Sequence, residues 1–384
     1  MHPRHRLEHI PGFSIDVVAS AAGSDPDVLR LENLDTDLPP PAGAIEATQK
    51  AILNDDANSY LPFTGTLPLR VAVAEHLRRL CGRTYDPSSE IVITCGGTEG
   101  LFDTILALTD PGDEVVLTDP TYAGMTNRVR LAGAVAKLVP FEVVDGHWRL
   151  DLQALRQSIT SRTRVLFLMS PSMPSGGVLT KDDWKVVADL CVTHSLWLLY
   201  NAAMERILFD GFPYFHPASL DELSSRTVIV GSVSKEYRMI GWRIGWVAGP
   251  LAVMADIARA HIYNVVTTTG IAQEGARAAL LSPESDLRDC VLEWERRRNT
   301  VLSEIKDYPF VVPMGGWSLL IDVGKLGLDS STASRLLLER GKIAATPMKH
   351  WGEKNGDRFV RFVYSNEPVE RLSTLRVRVA KAFG

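Results

Sequence analysis

The chain has 384 residues, 45% of them hydrophobic and 23% charged, with a formal net charge of -5 at pH 7. That length exceeds one ordinary core and the composition is that of a globular enzyme, so a large and a small domain are expected. The mildly acidic balance counts against nucleic acid as a partner. No apolar run approaches the length that spans a bilayer.

Four cysteines (Cys81, Cys95, Cys191, Cys290) stand far apart, with no CxxC pair and no His/Cys cluster. Neither a disulfide framework nor a metal site is expected. That pattern, with the lack of an apolar signal-like stretch in "MHPRHRLEHIPGF", points to the cytoplasm.

In chain order, "LDTDLPPPAG" reads as an ordered crossing, and "LRVAVAEHLRRLC" follows as a helix. Next come the strand "EIVITCG", the helix "GTEGLFDTILALT" and the strands "EVVLTDP", "AVAKLVPF" and "TRVLFLMSP". The helix "KDDWKVVADLCVTH" leads to the strands "LWLLYN", "TVIVGSVS" and "IGWVAGP" and to the helix "PLAVMADIARAHI". Near-continuous apolar strands alternating with amphipathic helices imply a mainly parallel sheet covered on both faces. After the long helical stretch "SPESDLRDCVLEWERRRNTVLSEI", the tail reads strand ("GGWSLLIDV"), helix ("STASRLLLERG"), strand ("RFVRFVYS"), helix ("VERLSTLRVRVAKAF"). The fold class is therefore α/β with a smaller α+β domain. The expected division is a large domain over residues 45–285 and a small one over residues 286–384, joined in space by residues 1–44.

Open parallel sheets bind ligands at the carboxyl ends of their strands, and several loops there carry suitable chemistry. "TCGGTEG" places Gly97 and Thr98 where free helix N–H groups meet a phosphate. Tyr122 in "DPTYAGM" follows another strand end, where its ring would lie over a flat cofactor or pack in the core. "GSVSKEYRMIGWRIG" puts Lys235 just past a buried strand, with Ser232 and Ser234 before it and Arg243 eight residues on. A lysine that attacks a carbonyl must shed its proton, and desolvation at such a place depresses its pKa.

These segments, with "YLPFTGTLPLRVAVA", "SPSMPSG" and "RFVRFVYS", resemble the class I/II aminotransferases, fold-type I enzymes that use pyridoxal 5'-phosphate (PLP). The resemblance covers most of the chain, and its most specific element is the S-x-S-K motif followed by the arginine. It implies a transferase of amino-acid metabolism that acts on an L-amino acid and a 2-oxo acid through a Schiff base (aldimine) on Lys235. By similarity, Gly97, Thr98, Ser232 and Arg243 would hold the phosphate and Tyr122 would stack on the pyridine ring. Arg361 would take the substrate α-carboxylate, and Tyr60 would reach the phosphate of the partner subunit in a homodimer.

Against that family, four positions depart. Asn201 stands where an aspartate pairs with the pyridine nitrogen, Met173 where an asparagine and Met204 where a tyrosine contact the ring's 3'-oxygen, and Leu34 where a glycine lies near the substrate carboxylate. An amide cannot neutralise a pyridinium, so ordinary transamination is expected to be slow. Two alternatives stay open: a PLP-dependent cyclase, lyase or decarboxylase in a specialised pathway, and a homologue that binds PLP without turnover. Trp317 and the "MKHWG" stretch fall where the small domain would close on substrate, and Tyr263 and Asn264 are candidate rim residues.

Overall fold

A computed structural model describes residue 7, residues 10–12 and residues 14–384. Among them two sheets form. The larger is eight-stranded, in the order β2-β9-β8-β7-β6-β3-β4-β5. Its strands are β2 (Ile91–Thr94), β3 (Glu114–Asp119), β4 (Val135–Val144), β5 (His147–Leu150), β6 (Thr163–Met169), β7 (Trp197–Asn201), β8 (Thr227–Ser232) and β9 (Gly245–Ala248). All six residues of β3 and of β8 are buried, as befits strands with helices on both faces.

The sheet is parallel except at β5 and β9, which pair antiparallel with their neighbours. The segment between β8 and β9 holds no α-helix, only a short 3-10 turn at Ile240–Trp242, and a parallel return usually crosses through a helix. The chain instead doubles back, with Ser232 paired to Gly245. That register seats the turn carrying Lys235 beside Arg243.

The smaller sheet has the order β1-β12-β13-β11-β10, where β1 is Leu29–Leu31, β10 Phe310–Val311, β11 Ser318–Asp322, β12 Ile343–Pro347 and β13 Phe359–Val363. β1 runs parallel to β12, with Leu29 opposite Ile343. The pieces β1, β5 and β12 are too short or too mixed in pattern to stand out in the sequence. The final helical stretch is interrupted, as Val369–Leu372 and Leu375–Phe383. Helix Glu284–Glu304 spans the two layers: Arg298 pairs with Asp210 at 2.7 Å and Arg297 with Asp37 at 2.6 Å.

Candidate active site

The strand ends of β2, β3, β6, β7 and β8 converge on a cavity of about 270 Å³, closed from the other side by β13 and the segment around Leu34. Lys235 sits in the turn after β8. Its Nζ donates to the Leu34 carbonyl at 2.7 Å and lies 5.1 Å from the centroid of the Trp317 ring. Burial lowers the Lys235 ammonium to about 8. Arg243 and Arg361 push the same way, while Asp35 opposes. Trp317 is fully buried, a core residue that Lys235 Nζ approaches. Leu34 enters the site through its backbone carbonyl as well as its side chain.

One end of the cavity is the N-terminus of helix Gly96–Leu108, with Gly97 and Thr98 in its first turn. Gly96 has φ +72, and a Cβ there would run into the Arg243 guanidinium. A Cβ on Gly245 would lie 2.5 Å from the Gly97 nitrogen, so two strands and a helix start meet at glycines because nothing larger fits. Arg243, itself at φ 54, donates from Nη1 to the Ile240 carbonyl at 2.9 Å and lies 3.5 Å from the Ser234 hydroxyl. Ser232 Oγ accepts from the Ser234 N–H at 3.2 Å.

The opposite edge is sulfur-rich. Met125, Met169, Met173 and Met204 all line the cavity. Asn201 closes β7 there, and its Oδ1 accepts from the Ala203 N–H at 3.2 Å, so the amide nitrogen is left without a partner among the described residues. Between the two ends, Arg361 on β13 is completely buried. It donates to the Glu32 carbonyl and, at 3.1 Å, to Thr346 Oγ1, while its Nη1 faces Met173 Sδ at 3.8 Å. Its Nε has no partner among the described residues, and burial brings its guanidinium down to about 10. The guanidinium lies 4.9 Å over Trp351, which meets Tyr122 edge-on at 5.3 Å.

The structure thus gathers around one cavity eleven of the twelve residues that the family resemblance set at the site: Leu34, Gly97, Thr98, Tyr122, Met173 and Asn201, and also Met204, Ser232, Lys235, Arg243 and Arg361. Tyr60 lies elsewhere, 87% exposed beside Thr267–Gly270. Tyr263 is 88% exposed and Asn264 donates to Asp103 at 3.2 Å, so neither is on the rim of this cavity. Sequence reasoning passed over Arg128, Ile15 and Asn33, which do line it. Arg128 follows Tyr122 by six residues, a helical offset that carries no motif.

His261, fully buried, is a junction. Its ring is 2.7 Å from Glu99 Oε1 and 2.8 Å from the Phe63 carbonyl, and Glu99 Oε2 accepts the Cys95 N–H at 2.5 Å. Asp103 lies beside them, and burial with the neighbouring Glu99 raises its carboxyl to about 9. The group ties the start of helix Gly96–Leu108 to the segment after Tyr60.

Residues 26–377 match the family model for class I and II aminotransferases. The chain belongs to that family. Amino-group transfer, a transferase activity, comes with the membership. An arginine–pyruvate transaminase of Pseudomonas aeruginosa is 30% identical, over 85% of this chain and 83% of its own length. A probable aspartate/prephenate aminotransferase of Aquifex aeolicus is 32% identical, over 98% and 97%. Among solved structures, N-succinyldiaminopimelate aminotransferase from Mycobacterium tuberculosis superposes with a TM-score of 0.91 at 28% identity, covering 98% of this chain and 99% of that one. The aminotransferase fold of this chain is accordingly fold type I, an α/β sheet domain with a smaller companion. No described helix is long and apolar enough to cross a membrane.

Proposed function

We propose that this aminotransferase uses PLP and that Lys235 is its reacting amine, acting on an L-amino acid and a 2-oxo acid. One observation carries the reading: Lys235, Arg243 and Arg361 share a small cavity, yet no described carboxylate lies within ion-pair distance of any of them. Unpaired buried cations are costly, so the cavity is built for a ligand that brings negative charge.

The residues present fit a phosphorylated pyridine. Gly97 and Thr98 offer free helix N–H groups, Ser232 a hydroxyl and Arg243 a guanidinium to a phosphate, while the Gly96–Gly245 contact leaves the backbone close enough to reach it. Tyr122 supplies a ring face, and Asn201, Met173 and Met204 the far edge. When bound, PLP supplies an aldehyde that condenses with amines and a ring that withdraws electrons.

Lys235, neutral in an appreciable fraction near pH 8, would be the amine that condenses with that aldehyde, with loss of water, and the group that would carry a proton to and from the substrate α-carbon. Arg361 would bind the α-carboxylate with the guanidinium donors that the Glu32 carbonyl and Thr346 do not take. Asn201 would offer its unpartnered amide nitrogen as a donor to the ring edge, which suits an unprotonated ring nitrogen.

A second reading, PLP chemistry other than transamination, is favoured by one observation: the ring edge offers an amide and thioethers where a carboxylate would sustain the electron sink. A homodimer belongs to the proposal as well. Leu53, Tyr60, Phe63 and Leu67 are all exposed apolar groups near one another in sequence, and a second copy would cover them. Four free cysteines suit a reducing compartment such as the cytoplasm.

The test is the absorption spectrum of the purified protein with PLP, before and after a panel of amino acids. A visible band that is lost in Lys235→Ala, and that bleaches with one amino acid while its 2-oxo acid is released, supports transamination. A band that responds without 2-oxo acid release selects the second reading, and no band at all refutes both.

A further inference from the structure

We propose that Asp119 is a positioning residue for the substrate's α-carboxylate: it grips the loop between β12 and β13 and so fixes Trp351 between Tyr122 and Arg361. The inference rests on the reading above, which gives the α-carboxylate to Arg361. Asp119 does not itself line the cavity, so it acts through the loop.

The grip is a compact array. Asp119 ends β3 and is buried, three residues before Tyr122. Its Oδ2 accepts the N–H groups of Glu353 at 2.9 Å and Lys354 at 2.7 Å, and its Oδ1 accepts that of Asn355 at 3.0 Å. Asn355 answers with its side chain, whose Nδ2 donates to the Asp119 carbonyl at 3.0 Å and to the Phe141 carbonyl at 2.9 Å. Beside them the Thr121 N–H donates to the Trp351 carbonyl at 2.8 Å. Successive N–H groups aimed at one point make a nest for an anion, and here the protein supplies the anion itself. Gly352 completes the fit. A Cβ there would lie 2.0 Å from Asp119 Oδ1, and its backbone is outside the left-handed region, so contact rather than conformation demands the glycine.

The loop held in this way carries Trp351, which is buried. The Arg361 guanidinium lies 4.9 Å from the centroid of its ring, and Tyr122 meets the same ring edge-on at 5.3 Å. With no carboxylate paired to it, Arg361 takes its orientation from that ring, the Glu32 carbonyl and Thr346. One carboxylate therefore sets the spacing between the Tyr122 side of the cavity and the Arg361 side. Once the loop is released, Trp351 can withdraw and the guanidinium can turn. Carboxylate binding suffers, while the helix start at Gly97 and Thr98 is left alone.

Two calorimetric titrations test this. Isocaproate, an unreactive monocarboxylate, reads the Arg361 end of the PLP-loaded protein, and pyridoxamine 5'-phosphate reads the helix start in the cofactor-free chain. Asp119→Asn keeps the shape but takes acceptors from the nest. It should weaken isocaproate about 10-fold and leave pyridoxamine 5'-phosphate within about twofold. Gly352→Ala breaks the same contact from the loop side and should show the same split, and it keeps the test if Asp119→Asn does not fold. Unchanged isocaproate affinity in the variants overturns the proposal. So does an equal loss for both probes, which would make Asp119 a support for the fold alone. Arg361→Met separates the two levels of the argument, and it should weaken isocaproate at least as much as Asp119→Asn. If Arg361→Met has no effect, the α-carboxylate assignment fails and the proposal with it. If Arg361→Met weakens isocaproate and the other two variants do not, the proposal alone fails.

Discussion

The two ends of the cavity obey different rules. At the end proposed to hold phosphate, a helix start, three close-packed glycines and Arg243 are locked by backbone: a side chain on Gly96 or Gly245 collides, and Arg243 holds φ 54 with its guanidinium pinned to Ile240. At the ring edge, Asn201, Met173 and Met204 are flexible or short groups that fill space and make few directed contacts. A phosphate anchor tolerates little change, because charge and backbone geometry must both be right. On the proposed reading the ring edge would tune reactivity through single side chains, so it is where chemistry could diverge while the fold and the proposed cofactor seat stay the same.

Four experiments would break or sharpen that contrast. The largest effect belongs to Lys235→Ala, which should abolish both the visible band and turnover while leaving the melting transition cooperative. A surviving band of the same wavelength would move the reacting amine elsewhere. Next, Arg243→Ala should weaken PLP binding by about 10- to 100-fold by equilibrium dialysis, as for one charged hydrogen-bonded contact.

Asn201→Asp should alter PLP affinity far less than Arg243→Ala and raise the transamination rate about tenfold or more, since a carboxylate stabilises a protonated ring nitrogen. A fall in rate would show the asparagine adapted to a different reaction and favour the second reading. The smallest effect concerns pH. Burial depresses the Lys235 ammonium to about 8, so the neutral amine is the minor form at pH 7 and the major form above 8. The rate at which the band appears on adding PLP should therefore rise about fivefold from pH 7 to 8 and level off well below the ordinary lysine value near 10.5. Stopped-flow absorbance across pH 6.5–9.5 measures it, and a rise that continues unchanged from pH 8.5 to 9.5 would contradict the desolvated lysine.

Much of this site is legible in the sequence because its anchors are local. "SVSK" followed by Arg243, "GGT" after an apolar strand and "DPTY" each place a functional group within a few residues of a strand end. Such a group needs only the strand to be in the sheet. Arg361 was legible for a different reason, the resemblance of "RFVRFVYS" to a family segment. Arg128 was not legible: its reach into the cavity depends on Gly124 giving way to a folded-back side chain. The contacts of His261 were not legible, because its partners, Glu99 and the Phe63 carbonyl, lie 162 and 198 residues away in sequence.

By itself the sequence determined the α/β class, the alternation of buried strands with covering helices and the chemistry at each strand end. Those follow from periodicity and from side-chain type, which are properties of short windows. Only the tertiary structure decided that β9 turns back antiparallel, that Leu29–Leu31 pairs with Ile343–Pro347, and that four cations share one cavity with no carboxylate paired to them among the described residues. Pairing between distant segments is chosen by the packing of the whole chain, and so is the desolvation that lowers the Lys235 pKa.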